Sequence, residues 1–231
     1  MNKYELHVHT AECDKAASMK AADIVRKYHE AGYAGMVVTD HYFSIFDTWF
    51  AEELKGLDKK QRMKRWLRGY YAAREEGERI GFTVLPGAEV RFEGQINDYL
   101  IYGVDEQFFY DAPKLSCCQT IEELSALLPD GVCVVQAHPF RNDMTVIDPT
   151  PLFGLEGFNG GNPAIRNKLA KMYAAHYGKA LTSGSDFHGR NRFASGGIET
   201  AHTIKTPRDL IDVLRSGDYS LIENYESAKK K

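Results

Sequence analysis

Short apolar runs alternate along the chain with longer stretches of mixed polarity. The runs at 4–8, 36–39, 82–85, 99–104, 132–137, 155–158 and 180–183 read as strands, each too short for a helix and rich in Val, Ile, Leu, Phe or Tyr. Helices are predicted between them. One spans 19–31, with Ser18 as N-cap, Ile24, Val25 and Tyr28 on its apolar face and Gly32 as its stop. The charged segment 58–79 predicts one long helix. Residues 120–128 predict another, with Thr120 as cap and Glu123 completing a capping box. A helix over 162–177 stops at Gly178, and one over 207–216 starts with Pro207 near its first position. Residues 197–204 and 219–222 read as extended, and the lysines at 229–231 as a frayed tail.

Strands alternating with helices imply parallel βαβ units. Seven strands in 231 residues fit a closed α/β barrel or a doubly wound sheet, and periodicity alone does not choose between them. The length fits a single domain over 1–231, with 43–80 as a helical insertion. The loosest stretches are 43–56 and 141–153.

Composition narrows the function. Hydrophobic residues make up 43%, as in an ordinary globular chain. The charge, 29 − 32 = −3, argues against stable nucleic-acid binding, which needs a basic footprint, but does not exclude a small phosphorylated substrate held by a metal. No apolar run approaches the ~18–20 residues of a membrane span, and the first residues carry no signal-peptide pattern, so a cytoplasmic location is expected. Cys13, Cys117, Cys118 and Cys133 form no CxxC pair and read as free thiols. Oligomeric state is not legible.

The chemistry lies at the strand ends. His7 and His9 end the first predicted strand, Asp40 and His41 the second, and His138 the fifth; Glu89 follows the third, Asp98 begins the fourth, and Asp186 and His188 follow the seventh. Residues two apart on a strand point to one side, so His7 and His9 present two imidazoles together, and Asp186 and His188 form a second such pair. Imidazole with carboxylate suits zinc, manganese or iron. One HxH pair arises by chance; two pairs joined by TDH, GAE and AHP do not. Asp40 reads either as a ligand or as a group orienting a ligand imidazole. His29 and His176 read as structural, and His202, in an extended segment, has no matching partner.

These stretches resemble the PHP (polymerase and histidinol phosphatase) family: HVHT at 7–10, Asp14, VTDH at 38–41, GAEV at 87–90, DYLIYG at 98–103, QAHPF at 136–140 and GSDFH at 184–188, in the family's order. The resemblance implies a distorted (β/α)7 barrel with a trinuclear site of divalent metals (Zn, Mn or Fe) at the C-terminal ends of the strands. Carried over motif by motif, one metal takes His7, His9, Glu89 and Asp186; a second shares Glu89 and adds Asp98 and His138; a third takes Asp14, His41 and His188. Asp98 stands where many members have His, and Asp14 where some do. The more negative ligand set is expected to favour manganese or iron.

The implied activity is hydrolysis of a small-molecule phosphate ester, such as histidinol phosphate or a nucleotide, by a hydroxide bridging two metals held by Glu89 and Asp186. His202 or a metal-bound water is expected to protonate the leaving alcohol. Arg141, directly after AHPF, is the first choice for binding phosphate, followed by Arg190 and Arg192, because guanidinium matches phosphate geometry. Two alternatives stay open: phosphodiesterase or exonuclease-like activity on nucleotides, and a metal-stabilised non-catalytic module. The aromatic residues of 43–80, among them Trp49 and Trp66, either wall the pocket or pack the insertion on the barrel.

Overall fold

The computed structural model describes residues 1–229; Lys230 and Lys231, the end of the expected tail, lie outside the described residues. The chain runs β1 (Asn2–Val8), α1 (Ala21–Glu30), β2 (Gly35–Val38), β3 (His41–Tyr42), α2 (Ser44–Trp49), α3 (Ala51–Leu54), α4 (Lys59–Trp66), α5 (Arg68–Ile80), β4 (Thr83–Arg91), β5 (Asp98–Tyr102) and α6 (Glu106–Asp111). After a 3-10 turn (Leu115–Cys117) come α7 (Ile121–Leu127), β6 (Cys133–Gln136), β7 (Gly154–Asn159), α8 (Ala164–Tyr177), β8 (Ala180–Gly184), β9 (Ile198–Thr200), α9 (Pro207–Ser216), β10 (Ser220–Leu221) and α10 (Tyr225–Lys229).

Seven strands, β1, β2, β4, β5, β6, β7 and β8, follow one another across a mixed sheet. Beyond β8, Phe187 bridges Val8 in parallel. The His9 N–H donates to the Phe187 carbonyl at 3.0 Å, and the Phe187 N–H to the His7 carbonyl at 3.3 Å. These bonds bring the last barrel strand back to the first. Of the two architectures left open by periodicity, the α/β fold with a nearly closed, distorted barrel is the one formed.

One strand runs against the expected direction. β5 pairs antiparallel with both β4 and β6, so the barrel is not uniformly parallel. Only six residues, 92–97, join Arg91 to Asp98. A parallel crossover needs roughly a dozen residues, whereas a hairpin needs few. The reversal places Asp98, the first residue of β5, opposite Arg91, the last of β4. Asp98 thus reaches the face where β4 ends.

Helix boundaries also shift. α1 starts at Ala21 rather than at 19, and its leading N–H is met by the Glu12 carboxylate at 3.0 Å instead of by Ser18. Ser18 instead donates its backbone N–H to the His188 carbonyl at 2.8 Å. The long helix expected over 58–79 is two helices, α4 and α5, broken at Leu67; Asp58 and Gln61 form a capping box at the start of the first. The Thr120 cap is present, as is a capping box of Thr206 and Asp209 with Pro207 at the helix start. Residues 197–204 are extended only over Ile198–Thr200.

The apolar core has two parts. One joins Leu6, Val37, Leu85, Leu100 and Val135 to Leu210, Ile211, Val213 and Leu214 of α9. Burial of each of those four helix side chains contributes about 1.5–3 kcal/mol, which seats a ten-residue helix too short to persist alone. The other joins the outer helices to the sheet and includes Trp66, whose ring meets Tyr42 edge-on at 5.0 Å. Trp66 packs the 43–80 segment on the barrel, and Trp49 is partly buried against the same core. No helix of the described residues is long and apolar enough to cross a membrane.

Candidate metal centre

The ends of the barrel strands deliver their polar side chains to one place. His7 and His9 point the same way from the end of β1 and its continuation, their Nε2 atoms 3.1 Å apart. Glu89, on β4, stands among four imidazoles. Its Oε2 lies 3.5 Å from His7 Nε2, 3.3 Å from His9 Nε2 and 2.9 Å from His41 Nε2, while its Oε1 lies 2.8 Å from His138 Nε2. Asp186 Oδ1 is 3.5 Å from His9 Nε2 and 3.4 Å from His188 Nδ1. Asp14 Oδ2 is 2.9 Å from His41 Nδ1 and 3.2 Å from His188 Nε2. Asp98 Oδ2 is 3.6 Å from His138 Nε2.

The nine expected ligands therefore fall together, although they come from positions 7 to 188. Donor atoms of eight of them form three groups, each with all atoms within 4.8 Å: His9, Asp14, His41 and His188; His7, His9 and Glu89; and Glu89, Asp98 and His138. Asp186 is in none of the three, its Oδ1 lying 3.5 Å from His9 Nε2 and 3.7 Å from His7 Nε2. His9 belongs to two of them, which the motif-by-motif expectation did not contain. Its ring lies 4.3 Å from that of His41 and 4.2 Å from that of His188.

Five buried atoms of the cluster, His9 Nδ1, Asp14 Oδ2, His41 Nδ1, Glu89 Oε2 and His138 Nδ1, make no hydrogen bond of good geometry among the described residues, although Asp14 Oδ2 and Glu89 Oε2 each lie within ion-pair distance of His41. Leaving such atoms unpaired costs about 1–3 kcal/mol each. Several together, converging on shared spaces, fit cations as the missing partners. The donors are all imidazole nitrogen and carboxylate oxygen, a set that suits Zn, Mn or Fe. Cys13 is outside it, its thiol aimed at the Trp66 carbonyl at 2.6 Å.

Charges within the cluster offset burial. Burial alone would raise the Glu89 and Asp186 carboxyls, but nearby cationic groups, His7 and His41 for Glu89 and Arg141 and His7 for Asp186, hold both well below the usual range. Burial would lower His41, yet Glu89 and Asp14 raise it to about 10. His9 is lowered, by burial and then by the neighbouring His188 and His41.

The backbone around the cluster is strained. His138 has φ 29° and Asp186 φ 51°, left-handed values that non-glycine residues seldom adopt. Three carboxylates hold the frame. Glu156, on β7, accepts the His138 N–H at 2.7 Å and the Asn159 Nδ2–H at 2.8 Å, and its other oxygen is 2.8 Å from His7 Nδ1. Glu5 accepts the N–H groups of Leu6, His7 and Ser185 and the Tyr28 hydroxyl, each at 2.9–3.0 Å. Asp40 accepts from Thr10 N–H at 2.7 Å and Thr10 Oγ1–H at 2.8 Å, and joins none of the three donor groups. Neither role weighed for Asp40, ligand or orienter of a ligand imidazole, matches these contacts: its carboxylate holds Thr10 and so braces the end of β1.

A cavity of about 430 Å³ opens over the cluster and is lined by four arginines, Arg91, Arg141, Arg190 and Arg192. Arg141 bonds Asp186 and, at 2.9 Å, Asn159 Oδ1. Arg192 Nη1 reaches Asp186 Oδ2 at 3.1 Å. Arg91, absent from the sequence-based set, donates Nε–H and Nη2–H to the two oxygens of Asp98 at 2.6 and 2.7 Å. His202 is not brought to the cavity. It is exposed, with Nε2 3.6 Å from Asp218 Oδ2. It lines a separate depression beside α9, so it has no path to a leaving group and the acid role expected for it is withdrawn.

No protein-family model and no curated protein matches the chain. Solved structures do. A two-domain protein from Bacteroides vulgatus containing a predicted PHP-like metal-dependent phosphoesterase superposes with a TM-score of 0.71 at 14% identity, over 96% of this chain and 65% of that one. This chain thus spans about two-thirds of that two-domain protein. PsfC from Pseudomonas syringae gives 0.68 at 17%, over 99% and 95%. A protein provisionally named a metal-dependent phosphoesterase, from Bifidobacterium adolescentis, gives 0.53 at 17%, over 92% and 95%. The fold is the distorted barrel of PHP-like structures, and the His/Asp/Glu cluster is compatible with metal binding.

Proposed function

We propose that this chain is a PHP-type metal-dependent phosphoesterase that hydrolyses a small phosphate ester. The observation that carries the reading is Glu89, a buried carboxylate among four imidazoles whose Oε2 lies within ion-pair distance of three of them yet makes no hydrogen bond of good geometry among the described residues. His7, His9, Glu89 and Asp186 would hold one divalent ion; Glu89, Asp98 and His138 a second; Asp14, His41 and His188, with His9 adjacent, a third. Such ions, when bound, supply Lewis acidity and a water of lowered pKa.

The chain's own residues do the rest. Arg141 and Arg192, anchored on Asp186, and Arg190 present guanidinium groups to phosphoryl oxygens and offset their charge. Glu156 fixes the His7 ring through Nδ1 and the His138 backbone through its N–H. Among the described residues the cavity lining offers no charged side chain apart from the arginines and the proposed ligands, so with His202 withdrawn the expected donor to the leaving alcohol would be a water at the metals rather than a side chain. At about 430 Å³ the cavity takes a small ester more readily than a polymer, which favours a small molecule over an exonuclease substrate. Residues 1–231 form one domain in this reading, with 43–80 as its insertion, and the four free cysteines fit a reducing, cytoplasmic setting.

The test is a panel of phosphomonoesters and nucleotide diesters, offered to protein loaded with Mn, Zn or Fe. Release of phosphate or alcohol that is lost in Glu89→Gln supports the reading. No release from any of them would overturn it in favour of a non-catalytic metal module.

A further inference from the structure

We infer a second ligand site, separate from the metal cavity, that binds a small molecule with an apolar body and one anionic head. A cavity of about 500 Å³ lies between the 43–80 segment and the loop before the 3-10 turn, and its lining shares no residue with the cavity over the metal cluster. That volume is within the ~300–1,000 Å³ of small-molecule sites.

Its floor is apolar. Tyr42 of β3, Phe46 of α2, and Met63 and Trp66 of α4 line it, each less than a tenth exposed, with Leu57 partly buried beside them. Its rim is cationic. Lys59, Arg62 and Lys114 stand against one lining carboxylate, Asp47, a balance of 3 − 1 = +2. Asp47 pairs with Arg62 at 3.1 Å and with Lys114 at 3.2 Å, and Glu93, outside the lining, pairs with Lys114 at 2.9 Å. Counting Glu93 still leaves one positive charge. Lys59 donates to the Asp111 backbone carbonyl at 3.2 Å, a neutral acceptor.

Apolar floor and cationic rim together select an amphiphilic anion. A neutral apolar molecule leaves the rim charge unmet, and a free phosphate gains nothing from the floor. An occupant would also rest on the segment that carries His41: Trp66 Nε1–H donates to the His41 carbonyl at 2.9 Å, and Tyr42 is the next residue.

The inference rests on no part of the phosphoesterase reading, because binding is read directly. Titration of 4-phenylbutyrate into metal-loaded protein by calorimetry should give saturable binding, with a change in Trp66 fluorescence. 4-Phenylbutanamide, the same body without the charge, should bind at least tenfold more weakly. Lys59→Gln/Arg62→Gln, two exposed changes, should weaken the acid at least tenfold and leave the amide unaltered, and Met63→Trp should abolish both by filling the floor. Inorganic phosphate should not displace the probe. No saturable heat, equal binding of acid and amide, indifference to Lys59→Gln/Arg62→Gln, or displacement by phosphate would each overturn the inference.

Discussion

Arg91 and Asp98 face each other across the mouth of the β4–β5 hairpin, and the guanidinium holds both carboxylate oxygens at 2.6 and 2.7 Å. The Arg91 side chain also lies over the Phe43 ring, its Cζ 4.5 Å from the centroid. The fork therefore fixes the rotamer of a carboxylate that stands 3.6 Å from His138 and offsets its charge. Removing a group that orients a metal ligand costs roughly 10–100-fold in metal affinity. Arg91→Ala is expected to fall in that range, read as the chelator concentration that strips metal from the protein. An unchanged stripping curve would show that Asp98 needs no such brace, or is no ligand.

Glu156, on β7, makes the parallel case. Glu156→Gln keeps the side chain's shape but replaces a carboxylate oxygen at His7 Nδ1 or at the His138 N–H with an amide NH2. His7 then loses an acceptor that makes it a stronger ligand. A loss of about 10–100-fold in metal affinity is expected, with the fold retained by circular dichroism. Metal content equal to that of the unaltered protein after dialysis against chelator would remove Glu156 from the role.

These two residues mark where sequence reading stopped. The strand-end histidines were legible because a strand's period of two puts His7 with His9, and β-strand ends in a barrel converge; Asp186 and His188 do lie at such an end, but past β8 and with Asp186 in a left-handed conformation rather than on a strand. Arg91 was hidden because its partner is set by the reversal of β5, a matter of connection length rather than of residue type. Glu156 did leave a signal: a lone carboxylate in an apolar run predicted to be a strand, and in the structure it is buried, where an ionised group is not tolerated without partners. Glu5, flanked by Tyr4 and Leu6, is the same case. The break at Leu67 was not legible, since apolar spacing continues through it. His202 failed for the opposite reason: its residue type suited an acid, but nothing in its segment tied it to the strand ends.

Arg141→Ala is expected to lower kcat/KM for the best phosphomonoester at least tenfold, because the side chain lines the cavity and is held toward Asp186. His202→Ala, far from that cavity, is expected to leave kcat/KM within twofold. Steady-state kinetics of both variants decides the matter. Equal effects of the two would mean that the arginine is solvated rather than engaged.

Protonation separates the metal-free from the loaded protein. In the metal-free state His41 is raised from 6.5 to about 10, burial opposing and Glu89 and Asp14 outweighing it. A histidine raised on folding contributes stability fully below its unfolded value, and that contribution is lost as pH rises through the folded value. Metal-free protein should thus have a lower urea midpoint at pH 9 than at pH 6.5. Loaded protein should not lose stability over the same interval, because the ligand nitrogens must shed protons to bind metal. Urea titrations at the two pH values, with and without Mn, measure both. A metal-free midpoint that rises with pH would contradict the charge arrangement of the cluster.

Gly184 tests whether space, rather than backbone freedom, fixes the cluster. It ends β8 at the start of the GSDFH stretch. A Cβ there would stand 2.3 Å from the His7 Cβ and 2.6 Å from Glu156 Oε1, distances that real contacts do not reach. The obstacle on one side is the first carbon of His7, fixed to the β1 backbone, so it cannot swing away as a long side chain can. On the other side is the carboxylate that positions His7. Gly184→Ala must therefore push β8 from β1 or turn Glu156 off His7. Overpacking of this kind costs about 1–3 kcal/mol. The expected result is a lower urea midpoint at constant m-value, together with metal affinity reduced at least as much as in Glu156→Gln. A variant destabilised but binding metal normally would show that the strands part without moving His7. Unchanged stability would mean that the two strands do not meet this closely.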